Sequence, residues 1–258
     1  MLSGIVVHGF CTGQSLPATL RTGVYGKVQS NALCFAANQA ALGAVKNFEA
    51  ALYVEKPFLL QALSVCHFAV AQPVGDGSFG LQLRYGGNSD YNSAKLGIAY
   101  GRTIGAKAAV GVQFNYWSRH ISGYESTAQV TVEGGFLFHF SDAFHAGFQV
   151  CHPAGVVLSK SGKKIPALYT AGLTYQPSQS VSLTTEIAKS GALPVALQTG
   201  LQYRFAPALW AKAGINSTKE FFIAARFQLN GFAIEFSGSV HAQLGLSPGL
   251  MLAYNMDK

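Results

Sequence analysis

The side chains able to do chemistry are few and badly placed for it. The seven histidines are scattered, and none forms HExxH or an i, i+4 pair beside a carboxylate, the spacing that sets two imidazoles and a base on one helical face. Gly23–Gly26 and Gly97–Gly105 carry neither a nucleophile elbow nor a phosphate-binding loop, and no elbow is expected elsewhere. Ser239 and His241 stand two apart on one face of a strand and would meet a substrate together only by chance. His145 reads as a satisfied inward histidine near Glu133 rather than a proton shuttle. Cys11, Cys34, Cys66 and Cys151 show no metal-ligand spacing and no disulfide framework. No enzyme activity, metal or cofactor is expected.

The elements around these residues follow one rule. Phe79, Leu81, Leu83 and Tyr85 alternate with Gly80, Gln82, Arg84 and Gly86. Leu96, Ile98 and Tyr100 then alternate with Lys95, Gly97, Ala99 and Gly101, and Ala108 to Tyr116 repeats the pattern. A period of two means strands with one apolar and one polar or small face. Strands joined by polar turns make an up-and-down antiparallel meander. From Asn47 the chain offers fourteen such strands, with tight turns at Pro73–Gly77, Thr103–Ala106 and Asn230 alternating with longer joins such as Lys56–Gln61 and His152–Ile165. An even number of strands, short turns on one side and longer loops on the other are the habit of bacterial membrane barrels.

Composition agrees. Charged residues are 11% of the chain, against roughly 25% in soluble proteins. No run of ~18 apolar residues occurs to make a spanning helix. In lipid every backbone group must be paired within the protein, so a β-patterned chain must close on itself. The expected fold is an all-β transmembrane antiparallel up-and-down barrel of about fourteen strands. Sets such as Val195, Leu197, Leu201, Tyr203 and Phe221, Ile223, Phe227, Leu229 would face lipid. The other face carries a mixed-sign network of Glu49, Arg84, Glu133, Glu186, Arg204, Lys212, Arg226 and Glu235, fitting a closed interior rather than a pore of one sign. The net charge of +7 is spread without a basic stripe, so no nucleic-acid partner is expected; a positive lumen or loops meeting lipopolysaccharide account for it.

Three segments divide the chain. Residues 1–13 read as the remnant of a secretory signal, a plain N-terminal strand being the alternative. Residues 14–45 include Asn31–Val45, small, Ala-rich and without period two. This piece would either plug the lumen as a hatch or lie against the rim, and Asn31, Phe35, Asn38, Gln39 and Leu42 are its gate candidates. Residues 46–258 form the barrel. Lys160, Lys163 and Lys164 share one outer loop that would face solvent or lipopolysaccharide or dock an acidic partner, and Leu244, Leu246 and Pro248 are candidate partner contacts, since exposed apolar loop residues mark contact surfaces.

Asn38-Gln-Ala-Ala-Leu42 resembles the Asn-Pro-Ala-Ala-Leu signature of the FadL-type outer-membrane barrels, with Gln39 in place of proline. Ser30–Gly43, Lys56–Ser64 and His241–Tyr254 resemble the PorV/PorQ-like proteins of Bacteroidota within that superfamily. The resemblance implies a bacterial outer-membrane barrel of fourteen strands with an N-terminal hatch. It implies a non-enzymatic accessory of a type IX-like secretion or assembly machine, whose partners are the bilayer, lipopolysaccharide and other outer-membrane or secreted proteins. The wider FadL resemblance implies the alternative, a channel taking up a hydrophobic small-molecule ligand.

Overall fold

A computed structural model describes residues 16–27, 31–123, 126–152 and 166–256, and the backbone alone of 156–157 and 164–165. The strands are β1 (Glu49–Glu55), β2 (Val65–Val74), β3 (Gly77–Gly87), β4 (Tyr91–Ile104), β5 (Ala108–Ile121), β6 (Thr127–His139) and β7 (Phe144–Cys151). A two-residue hairpin follows, β8 (Val156–Val157) with β9 (Lys164–Ile165). The second half holds β10 (Leu168–Ser178), β11 (Val181–Ser190), β12 (Ala196–Ala206), β13 (Leu209–Asn216), β14 (Glu220–Leu229), β15 (Phe232–His241) and β16 (Gly245–Asn255). Leaving out the small hairpin, fourteen strands close into one barrel, each beside its sequence neighbour, with β1 sealing the ring against β16 from Glu49↔Asn255 to Glu55↔Gly249. Closure removes every sheet edge, which is what hydrocarbon surroundings demand.

The expected facing holds. Phe79, Leu81, Leu83 and Tyr85 are exposed, as are all eight residues assigned to lipid on β12 and β14 and just before β12, whereas Gln113, His145 and Glu235 are 0% exposed. An apolar outside around a polar inside is the reverse of a soluble barrel. Outward aromatic pairs ring the short-turn end: Phe79 with Tyr100, Phe144 with Tyr175 and Phe232 with Tyr254, their centroids 4.7–5.0 Å apart. Such amphipathic rings mark the membrane–water boundary. At this end Asn230 and Gly231, both at positive φ, make the two-residue hairpin whose twist matches its strands.

Several boundaries differ from the expected ones. Strands run further at the long-loop end, so 88–90, 217–219 and 242–244 are tight turns, while 56–64 and 152–167 remain long. Polar residues such as Asn92 and Ser93 still pair across the ladder, because backbone hydrogen bonds do not need an apolar neighbour. Leu246 and Pro248 consequently sit in β16 rather than in a loop; Leu246 belongs to the outward belt, and only Leu244 is a turn residue. Cys34 and Cys151 are buried, and Cys66 is half-buried on the outward face of β2. Lys160 and Lys163 lie outside the described residues, as do residues 1–13.

Topology is open to direct labelling. In a Cys66→Ser background, an impermeant maleimide should label Gln243→Cys on intact cells and Asp76→Cys only after permeabilisation. The opposite result would invert the orientation, and equal labelling would mean that the barrel does not span.

Candidate functional site

Residues 16–27 and 31–45 of the chain lie inside the barrel. A helical turn at Ala18–Arg21, another at Cys34–Ala37 and a 3-10 stretch at Gln39–Ala44 pack against the inner wall. Glycines make the room. Gly101, Gly111 and Gly135 stand side by side in one cross-strand row on β4, β5 and β6, between Ser78 and Gln149. A Cβ on Gly111 would lie 2.3 Å from the Gln39 carbonyl, and one on Gly101 would lie 2.7 Å from the same oxygen. Phe35 sits on Gly80, Leu42 on Gly101, and the Tyr25 ring covers Gly147 and Gly172. Strand glycines weaken a sheet, and they earn their place where another backbone comes close.

Polar anchors fix the segment. Asn38 caps the 3-10 stretch by accepting from Ala40 N–H, while its Nδ2 donates to the carbonyls of Phe136 and Phe148 at 3.3 and 3.2 Å. Gln39 Nε2 donates to Glu133 at 2.8 Å, and the other carboxylate oxygen of Glu133 takes Lys95 at 2.6 Å. On the far wall Glu186 receives both Arg21 and the Tyr25 hydroxyl, each at 2.5 Å. Lys212 pairs with Glu235 at 3.0 Å and also donates to the Thr19 carbonyl. Ser78 donates to the Val45 carbonyl, and at the short-turn end Lys27 pairs with Asp142, holding that carboxyl below its ordinary range through the hydrogen bond and the charge. The three buried pairs, Arg21–Glu186, Lys95–Glu133 and Lys212–Glu235, are neutral locally, as burial requires.

The expected site residues fall into groups. Asn38, Gln39, Phe35 and Leu42 dock on the wall, and Asn31 Oδ1 accepts from Leu33 N–H. Glu133, Glu186, Lys212 and Glu235 form ion pairs, and Glu49 accepts from Asn255. Arg226 lies opposite Glu235 in the ladder, under Trp210, and donates to Gln228. Arg204 does not join the network: it points to the rim, over Trp210 and onto the Pro207 carbonyl. Of Lys164 only the backbone is described. His145 is not near Glu133, which pairs across from Cys151; its Nδ1 lies 3.0 Å from Nδ1 of His139. The residues missed are Lys95, which the alternation does place inward, and Arg21 and Tyr25, which no period marks. The signal that could have found the docking wall is the row of strand glycines.

No catalytic constellation assembles among the described residues. Gly245-Leu-Ser-Pro-Gly249 has the spacing of a nucleophile elbow, contrary to expectation, but it runs in β16. There Ser247 is buried and its Oγ accepts Phe58 N–H. His241 is spent on the turn, its Nδ1 accepting from Gln243 and Leu244 N–H. Two surface recesses, of about 470 Å³ by Gln61 and Gly87 and about 460 Å³ by Lys46 and Met256, are open and lie at the rims.

No protein-family model matches the sequence, and no curated protein matches it. Solved structures do. A TodX deltaS2S3 mutant, a monoaromatic hydrocarbon channel, superposes over 96% of this chain and 100% of its own with a TM-score of 0.71 at 11% identity. The Pseudomonas putida toluene transporter TodX covers 93% and 96% with a TM-score of 0.67 at 10% identity. A Pseudomonas aeruginosa FadL homologue covers 85% and 93% with a TM-score of 0.62 at 10% identity. At such identities the likeness is one of fold: the chain has the closed fourteen-strand architecture of the FadL-type barrels. With its apolar exterior, that architecture belongs in a bacterial outer membrane.

Proposed function

We propose that the barrel is a route for small hydrophobic molecules across the outer membrane, closed by residues 16–27 and 31–45. One observation carries this reading. The lumen segment adds no strand to the barrel wall and is held by glycine contacts and a handful of side-chain anchors, so it can shift without opening the barrel. The channels and transporters of similar fold, named for toluene and monoaromatic hydrocarbons, favour the same reading. They give no support to the narrower PorV/PorQ likeness or to its role in secretion. The reading contains no catalytic step, and lipid with lipopolysaccharide is the partner it requires.

Toluene flux into proteoliposomes tests it. Asn38→Ala with Gln39→Ala removes anchors worth about 2 kcal/mol together, which corresponds to about a thirtyfold larger open population. Flux should rise accordingly. Flux no greater than through empty vesicles, for wild type and variant alike, would sink the route. A stoichiometric secretion component recovered from native membranes alongside that result would put the accessory role in its place.

A further inference from the structure

We propose that the long-loop half of the lumen holds an anion site for a small aromatic acid, on the wall formed by β3, β4, β5 and β6. The inference rests on the route reading, since it names the substrate class.

Two cross-strand rows build the wall. Arg84, Lys95, Trp117 and Gln129 stand side by side, and one level toward the lumen segment stand Gln82, Gly97, Asn115 and Thr131. Gly97 lets amides converge: a Cβ there would sit 2.6 Å from Asn115 Oδ1, 2.8 Å from Gln113 Nε2 and 3.0 Å from Gln82 Cγ. Around this point Arg84 Nη1, Gln82 Nε2, Asn115 Nδ2, Thr131 Oγ1 and both amide atoms of Gln129 have no hydrogen-bond partner. Isolated atoms of this kind occur elsewhere in the lumen, but here six gather on two neighbouring rows, and the described residues of the lumen segment offer them no hydrogen bond. Buried polar groups without partners are rare and costly, and such a cluster marks a place for a polar guest.

The guest's charge follows from the cations. Lys95 is neutralised by Glu133, but Arg84 makes no ion pair among the described residues. Arg119, one level nearer the loops, lies 4.7 Å over the Trp117 ring and 5.9 Å from that of Tyr91, with its Nε unbonded. Against these two guanidiniums, Glu55 on β1 and Glu220 on β14, the latter accepting from Asn216, are carboxylates at the same end of the barrel, and His67 beside Arg84 is buried. A carboxylate accepts from planar guanidinium and amide donors with little reorganisation. The rest of the guest is short and flat. Inward residues on these rows are polar or small apart from Trp117, so a long acyl tail finds no apolar groove, whereas a ring can stack on guanidinium and amide planes.

Equilibrium dialysis of the purified full chain in detergent, with benzoate, toluene, acetate and decanoate as probes, tests the site. Benzoate should bind at least tenfold more tightly than each of the others. Arg84→Gln and Arg119→Gln should each lose tenfold or more, with Arg119→Lys recovering part, in barrels shown to be folded by heat-modifiable migration. Toluene or acetate binding equal to benzoate, stronger binding of decanoate, or unchanged binding in both glutamine variants would overturn the proposal. Toluene flux through the Asn38→Ala, Gln39→Ala barrel is measured separately: intact flux without benzoate binding removes the site alone, and binding without flux removes the route alone.

Discussion

Gly111→Val should lift the lumen segment off the wall while leaving the barrel folded. The added Cβ would sit 2.3 Å from the Gln39 carbonyl carbon and oxygen and 2.7 Å from Ala40 N, all backbone atoms that cannot rotate away. Gly101 and Gly135 flank it against the same segment, so sliding sideways brings no relief. Overpacking of this kind costs about 1–3 kcal/mol, which falls on the contact between wall and segment. Cys34 reports the outcome. It is 3% exposed in the docked segment, and its labelling by a thiol reagent, read by mass spectrometry, should accelerate about tenfold or more. Gly134→Val is the control, since the nearest atom to its Cβ lies 3.8 Å away. Continued protection of Cys34 in a folded Gly111→Val barrel would mean that the glycine row does not seat the segment.

Lys212→Met should be the most destabilising change at a single inward charge. Glu235 is 0% exposed, and without the ammonium at 3.0 Å its carboxylate loses its direct ion pair while the Thr19 carbonyl loses a donor. Breaking a buried pair from one side costs about 3–5 kcal/mol. Arg226, opposite Glu235 in the ladder, holds the loss toward the lower end of that range. Lys212→Met with Glu235→Leu should recover most of the stability, because a matched apolar pair leaves no orphaned charge. Urea unfolding in detergent micelles reads both. A double variant as unstable as the single one would show that the pair is not the unit that matters.

How far the amino acids disclose this arrangement varies along the chain. The fourteen strands and their facing were legible because lipid outside and polar groups inside impose the strict period two seen from Phe79 to Tyr116. Val195 and Phe221 went outward and Glu133 and Glu235 inward for the same reason. Strand ends were less legible, since the ladder continues through polar residues such as Asn92 that carry no facing signal. Leu246 and Pro248 looked like loop residues because Gly245 and Gly249 interrupt the alternation.

The lumen segment marks the limit. Its compact, Ala-rich character set it apart from the strands, and Asn38 and Gln39 were singled out, yet whether it filled the barrel or lay on the rim was undecided. That depended on Gly101, Gly111 and Gly135 falling into one row, and strands separated by turns reveal their register only when they pair. The same holds for the charges. Alternation alone put Lys95 and Glu133 on the inner face, but their pairing needed two strands, β4 and β6, to be set on either side of β5. Arg21 and Tyr25 reach Glu186 across more than 160 positions of sequence, a meeting that no local pattern encodes. The sequence by itself determined a closed barrel with lipid outside, because burial periodicity is a local property of each strand. Only the tertiary structure decided what fills that barrel and which charges are left free, because those depend on strand register and on a segment folded back into the ring.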